Sequence, residues 1–163
     1  MNSIRILLVA IWGIMLPNIS TVGQESKQIS QRVQKQFIEA SEDYTHLELR
    51  SALSKLNKIL KNNPQYADAW IMKAYCEEEL NKKNDALRSY ISGYMADTVK
   101  YHAVSFEIAN LYFNSGKYTE SEIYLRKYKS TTSPDSDTVR LIGLSRNLSF
   151  AIQQIEDYNG FPL

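Results

Sequence analysis

The feature that most restricts the fold of this chain is a set of small residues recurring every 34 or 35 positions. Ala52, Ala86 and Ser121 are spaced 34 and 35 residues apart. Four residues after each come Leu56, Tyr90 and Leu125, and seven after come Ile59, Gly93 and Tyr128. Offsets of four and seven lie on one face of a helix. Upstream, Ala40, Ala74 and Ala109 repeat with the same two spacings. A small side chain at one site in three units marks a close helix crossing, because helix separation is set by the side chains at the contact. A period of this length is the signature of stacked supersecondary units, none of which can bury its apolar face alone.

The pattern between these anchors is helical throughout. After a polar stretch at 24–30 (QESKQIS), Val33, Phe37 and Ala40 begin an apolar stripe. A second stripe runs through Ala52, Leu53, Leu56, Ile59 and Leu60 and ends at Asn62, Asn63 and Pro64, because proline disfavours helix in the residue before it. A helix is expected from Ala67 to Leu80, then a turn at Asn81 to Asn84. The next helix carries Ala86, Leu87, Tyr90 and Tyr94. Phe106, Ala109, Leu111, Tyr112 and Phe113 mark another, stopped by Asn114, Ser115 and Gly116, with Ile123, Tyr124 and Tyr128 on its partner. Residues 130–134 read as a linker. Asp135 or Ser136 can then cap a last helix carrying Val139, Leu141, Ile142, Leu144, Leu148, Ala151 and Ile155. No alternation of strand type competes. With 6 Gly and 4 Pro among 163 residues, the chain has few breaks and favours long helices.

Residues 1–23 read as a signal peptide. Arg5 gives a positive n-region, and the apolar run from Ile6 to Leu16 suits an h-region while being short for a membrane span. Thr21 and Gly23 fit the −3 and −1 sites of a cut before Gln24. An uncleaved anchor or a buried helix is the competing reading. Removing residues 1–23 takes Arg5 and no acid from a net charge of +1. The neutral remainder gives no reason to expect nucleic acid or an anionic membrane as partner. No cysteine follows the h-region to accept lipid. Cys76 is the single cysteine, too few for a disulfide or a zinc site, and reads as a buried packing residue.

The repeat resembles the tetratricopeptide (TPR) family. Trp70 stands at that family's first aromatic site and Ala74 at its small site. Ala86 and Tyr90 match its second helix, Gly116 and Tyr118 its turn, and Pro64 its closing proline. Lys73, Tyr128 and Gln36 depart from the family pattern, and the first repeat matches least. The resemblance implies an all-α, right-handed TPR solenoid of about three helix hairpins plus a C-terminal capping helix. The expected divisions are repeats near 33–66, 67–101 and 102–135, a capping helix at 136–157 and a tail at 158–163. The segments LSFAIQ (148–153) and NGFPL (159–163) also look like the N-terminal TPR region of Bacteroidota periplasmic proteins. Those continue into a WD-repeat-like propeller and an OmpA-like domain.

In a solenoid of this type the first helices line a concave surface, which the resemblance implies as a partner-binding groove. Its candidates are Phe37, Ser41 and Tyr44, then Ile71, Tyr75 and Glu78, then Phe106, Asn110 and Phe113. Aromatic side chains there would serve as interface anchors for an extended peptide or a helix. Of the Lys/Asn clamp that some TPR domains use for a terminal carboxylate, only Asn110 is present. His46 and His102 show no ligand spacing. Glu77, Glu78 and Glu79 occupy successive helical positions, which point in different directions and are not expected to converge. No phosphate loop, nucleophile elbow or zinc-protease motif occurs, so no catalytic residue, metal or cofactor is expected.

The function expected from sequence is a periplasmic scaffold or adaptor that binds a protein or peptide of the cell envelope. It is not expected to be an enzyme, and a role in outer-membrane or secretion assembly would fit. The competing classes are a small helical enzyme using Glu or His in a cleft, and a membrane-anchored accessory subunit. A truncated N-terminal part of an OmpA-like envelope protein would also fit. Homo-oligomerisation through the first repeat is compatible with the sequence.

Overall fold

The computed structural model describes residues 29–131 and 136–159. Among them are seven helices and no strand: α1 (Gln31–Thr45), α2 (Leu49–Asn62), α3 (Ala67–Glu79), α4 (Lys83–Ala96), α5 (Val104–Asn114), α6 (Tyr118–Thr131) and α7 (Ser136–Asn159). The expected signal peptide, residues 24–28 and residues 160–163 lie outside the described residues. Each helix packs chiefly on the next in the chain, and α1 also touches α3. This is an all-α solenoid of three hairpins with a seventh helix behind them. Two boundaries differ from expectation. Ser130 and Thr131 close α6 rather than opening a linker, and α7 runs to Asn159.

The helix starts and stops follow from particular side chains. Ser30 caps α1, its hydroxyl accepting from the Val33 N–H at 3.4 Å. Pro64 follows the C-cap of α2, and its carbonyl accepts from the Trp70 indole N–H at 2.8 Å, tying the turn to α3. The three hairpin turns repeat one geometry. Leu47, Asn81 and Gly116 have φ of 61°, 57° and 77°, and they stand at the same 34- and 35-residue spacings as the core alanines. In each turn the next residue's N–H reaches back five positions. Glu48 donates to Asp43, Lys82 to Glu77 and Lys117 to Tyr112, at 2.8, 2.8 and 2.9 Å. These are Schellman closures, which normally favour glycine at the left-handed residue.

Leu47 is the costly member of that set, being 74% exposed and non-glycine. The left-handed conformation costs an L-residue about 1–2 kcal/mol. Glycine brings about 0.5–1 kcal/mol of extra unfolded-state entropy. Strain relief wins, so Leu47→Gly is expected to raise stability by about 0.5–1 kcal/mol, read as a higher urea midpoint. A lower midpoint would mean that the exposed leucine makes a contact that the turn geometry does not show.

The core forms between consecutive helices. Ala40, Ala52, Leu56, Ile59, Leu60, Ala69 and Cys76 are buried together across α1, α2 and α3. Ile71, Ala74, Ala86, Tyr90, Tyr94, Val104, Ile108 and Leu111 form the middle layer. Ala109, Leu125 and Ile142 continue it into α7. Both sets of repeated small residues are at most 1% exposed, as a close crossing demands. Cys76 is fully buried, and burial pushes its thiol up to about 11, so it is a packing residue.

Gly93 holds the tightest approach. A Cβ there would lie 2.5 and 2.9 Å from the Ile71 side chain and 3.2 Å from Trp70 Cβ. Ile71 is 3% exposed and cannot swing into solvent. Gly93→Ala gains about 1 kcal/mol of helix propensity, but overpacking a filled core costs about 1–3 kcal/mol. The net expectation is a loss of about 1 kcal/mol, seen as a lower urea midpoint at unchanged slope. An unchanged midpoint would show that α3 and α4 separate at little cost.

The last helix does more than cap. Thr138, Ile142 and Ser145 follow Val104, Ile108 and Leu111 by 34 residues, and all are buried or nearly so. Gly143 follows Ala109 by 34, so α7 stands in the register of a fourth first helix. Ala109 is covered by its own hairpin partner, whereas a Cβ at Gly143 would meet nothing within 4 Å. A clip fastens α7 to α6: Arg146 and Arg126 both donate to Glu122, at 3.0 and 2.7 Å, and hold its carboxyl below the usual range.

Candidate functional site

The Schellman turns also place the residues of interest. The carbonyls of Tyr44, Glu78 and Phe113 accept the N–H groups of Leu47, Asn81 and Gly116 at 2.9, 2.7 and 3.0 Å. Each of these residues is thereby fixed in the last turn of a first helix. Between α1 and α3 this creates a cleft of about 320 Å³, lined by Tyr44, Tyr75, Glu78 and Glu79. Two tyrosine rings form one side, with centroids 6.5 Å apart and planes tilted by 38°. Tyr75 is 39% exposed, so its ring remains available to an incoming group.

A buried residue of α4 organises this cleft from behind. Tyr90 is fully buried, meets Tyr75 edge-on at 5.8 Å, and donates its hydroxyl proton to Glu78 at 2.6 Å. Burial, then the bond to Glu78, raises the Tyr90 phenol strongly, so it stays a donor at all physiological pH. The electrostatics around it are uniformly negative. Burial and then Glu79 raise Tyr44, and burial and then Glu107 raise Tyr75. The Glu107 carboxyl, on α5, is itself raised by partial burial and by Glu78.

Tyr44, Tyr75 and Glu78, all expected from sequence, are brought together in the cleft. Ile71 is a correction. It is buried in the α3–α4–α5 core beneath Gly93 and Tyr90, and it presents no groove surface. Phe37 and Phe106 occupy the same register position and are half-buried, packed 5.3 Å from Tyr66 and 5.2 Å from Tyr128. The Ser41 hydroxyl donates to the Phe37 carbonyl at 3.0 Å. Asn110 and Phe113 are half-buried on α5, with Phe113 edge-on to Tyr118 at 5.2 Å, and neither lines the cleft.

The glutamate run also departs from expectation. Glu77 is buried, accepting from the Ser89 hydroxyl at 2.6 Å and pairing with Lys73 at 3.5 Å. Glu78 and Glu79, however, both open on the cleft. Neighbours on a helix differ by about 100° in direction, which a broad cleft between two helices accommodates. Glu79, Glu107 and Tyr90 were not legible as site residues. The one available signal was register, since Glu79 follows Thr45 by 34 and precedes Asn114 by 35. His46 caps α1, and His102 places Nδ1 3.2 Å from the Val99 carbonyl on a distant turn. Among the described residues, no group of three His, Cys, Asp or Glu is placed to hold a metal. No helix among them is long and apolar enough to cross a membrane.

This architecture is that of TPR-like helical-repeat proteins. The type III secretion chaperone SycD of Yersinia enterocolitica, solved with a peptide of the translocator YopD, superposes with a TM-score of 0.57. It is 15% identical, over 80% of this chain and 98% of that one. MamA superposes at 0.61, with 15% identity over 77% of this chain and 68% of its own. The TPR2B domain of yeast Sti1, in its pHsp70 complex, superposes at 0.59, with 14% identity over 72% and 98%. At such identities the likeness defines the fold. No protein-family model and no curated protein sequence matches the chain.

Proposed function

We infer that this protein is a non-catalytic scaffold that holds a protein partner on the inner faces of its first helices, and that it works in the cell envelope after export. One observation carries the binding reading: the cleft of Tyr44, Tyr75, Glu78 and Glu79 sits where consecutive first helices face each other. Two of the similar folds are complexes with a peptide or partner, SycD with a YopD peptide and Sti1 TPR2B with pHsp70. Rigid aromatic side chains held partly open are the kind that anchor interfaces. The approach of Glu107 to Glu78 is what a helical enzyme would need. Yet Glu78 and Glu79 are exposed to solvent, and Glu78 is already engaged by Tyr90, whereas acid–base catalysis favours carboxyls set against a reacting atom in a water-excluded site.

The export half of the proposal rests on the n-region, h-region and small-residue cut site of residues 1–23. Envelope fractionation of native cells, with N-terminal sequencing of the recovered chain, tests it. A periplasmic product beginning at Gln24 supports it. A cytoplasmic product retaining Arg5 contradicts it. An association with the outer membrane would appear in the same fractions. The partner half is tested by crosslinking from the inner face in native cells, with the Tyr44→Ala, Tyr75→Ala variant as the comparison.

A further inference from the structure

The geometry points to a partner that lays a lysine or arginine side chain along the Tyr44 and Tyr75 rings, with its charge on Glu78 and Glu79. This rests on the inner face being the binding surface, and it adds the chemistry of the occupant.

The cleft is an aromatic wall with an anionic rim. Its rings can cover the methylene stem of a long cation, since Lys and Arg bury their stems against apolar surface while keeping the charge in a polar setting. Ring faces attract a cation within about 6 Å of the centroid, and the protein already uses that contact elsewhere: Lys73 stands 5.0 Å over Trp70 and Lys127 4.5 Å over Tyr124. Tyr44 and Tyr75 have no such partner among the described residues. Neither Glu78, Glu79 nor Glu107 makes a salt bridge there, whereas Asp43, Asp68, Glu77 and Glu122 all do.

Among the described residues, no cation lines the cleft to neutralise it. Helix α5 contains no basic residue. Lys73, the base of α3, is held by Glu77 on the side away from the cleft. Arg32 and Lys35 stand nine or more residues before Tyr44, roughly 13 Å or more along α1. His46 lies just past Tyr44 and is not among the residues that line the cleft. A terminal carboxylate, the ligand of a Lys/Asn clamp, would meet only like charge here. The field is therefore complementary to a cationic side chain and repels an acidic one.

The test uses the full chain and four blocked peptides, acetyl-Gly-Leu-Xaa-Leu-Gly-amide, with Lys, Arg, norleucine or Glu at Xaa. Amide shifts of Tyr44, Tyr75, Glu78 and Glu79 are followed by NMR at two salt concentrations. The Lys and Arg peptides are expected to bind at the cleft about tenfold more tightly than norleucine, with Glu weakest, and to lose that margin as salt screens it. In a Glu78→Gln, Glu79→Gln variant of unchanged circular dichroism the margin should fall to about two- to fivefold, the part the rings supply, and lose its salt dependence, since Gln still accepts from Tyr90 while removing the charge. Equal binding of norleucine and Lys at the cleft would overturn the cationic occupant and leave the inner-face reading standing. Lys or Arg shifts away from the cleft, or none at all, would also overturn the cationic occupant, and the inner-face reading would then stand or fall on crosslinking from the first helices alone.

Discussion

Replacing Tyr90 by alanine is expected to lower the stability of the helical array by about 3–5 kcal/mol, the range found when a fully buried aromatic is truncated in a core. A domain of this size has only about 5–15 kcal/mol in total, so the variant should be close to unfolding at 37 °C. The site cannot collapse easily, because Tyr90 is fully buried in the middle layer with Ala74, Ala86 and Ile108, on three different helices. Tyr90→Phe separates packing from hydrogen bonding. It keeps the ring and removes the bond to Glu78, a carboxylate exposed enough to regain water, so its cost should be near the low end, about 1 kcal/mol. Urea unfolding measures both. An alanine variant within about 1 kcal/mol of the parent would show that α3, α4 and α5 are not joined through this residue.

The second large effect concerns the partner. A Tyr44→Ala, Tyr75→Ala variant is expected to lose affinity for the partner protein identified by crosslinking by about 100-fold or more, since anchor residues cost about 2 kcal/mol each and 1.4 kcal/mol is tenfold. Stability should fall much less than for Tyr90→Ala, because both rings are partly exposed. This pair is a cleaner probe than Phe106 and Phe113. Phe106 packs against Tyr128 and the α5–α7 core, so truncating it would confound folding with binding. Surface plasmon resonance on the purified pair measures the change. A loss of less than threefold would remove Tyr44 and Tyr75 from the interface.

The contrast between these residues shows what the sequence could and could not convey. Periodicity located the helices and both sets of small crossing residues, because close approach admits only small side chains and that requirement repeats in every hairpin. The same register placed Tyr44, Tyr75 and Glu78 on one surface. It failed at Ile71, because a register position defines a direction and not how deep the neighbouring helix sits. In repeat 2 the glycine at position 93 lets α3 and α4 approach closely over Ile71, whereas Ile59 and Tyr128 stand at the matching sites in repeats 1 and 3. The anionic character of the cleft was hidden for another reason. Glu78 and Glu107 are 29 residues apart on different helices, and only the fold brings their charges to bear on each other. The fourth-hairpin register of α7 was obscured by the glycine at 143, which replaces the alanine of the other three units.

The inner faces of the first helices are where the partner is expected to be held. Site-specific photocrosslinking in native cells tests this most directly, with the reactive side chain placed at Glu79 on the inner face or at Lys58 and Arg88, exposed on the second helices. A discrete protein adduct is expected from position 79, one that disappears in the Tyr44→Ala, Tyr75→Ala background, with no matching adduct from 58 or 88. The same adduct formed from 58 or 88, and absent at 79, would place the partner on the outer wall and contradict the inner-face reading.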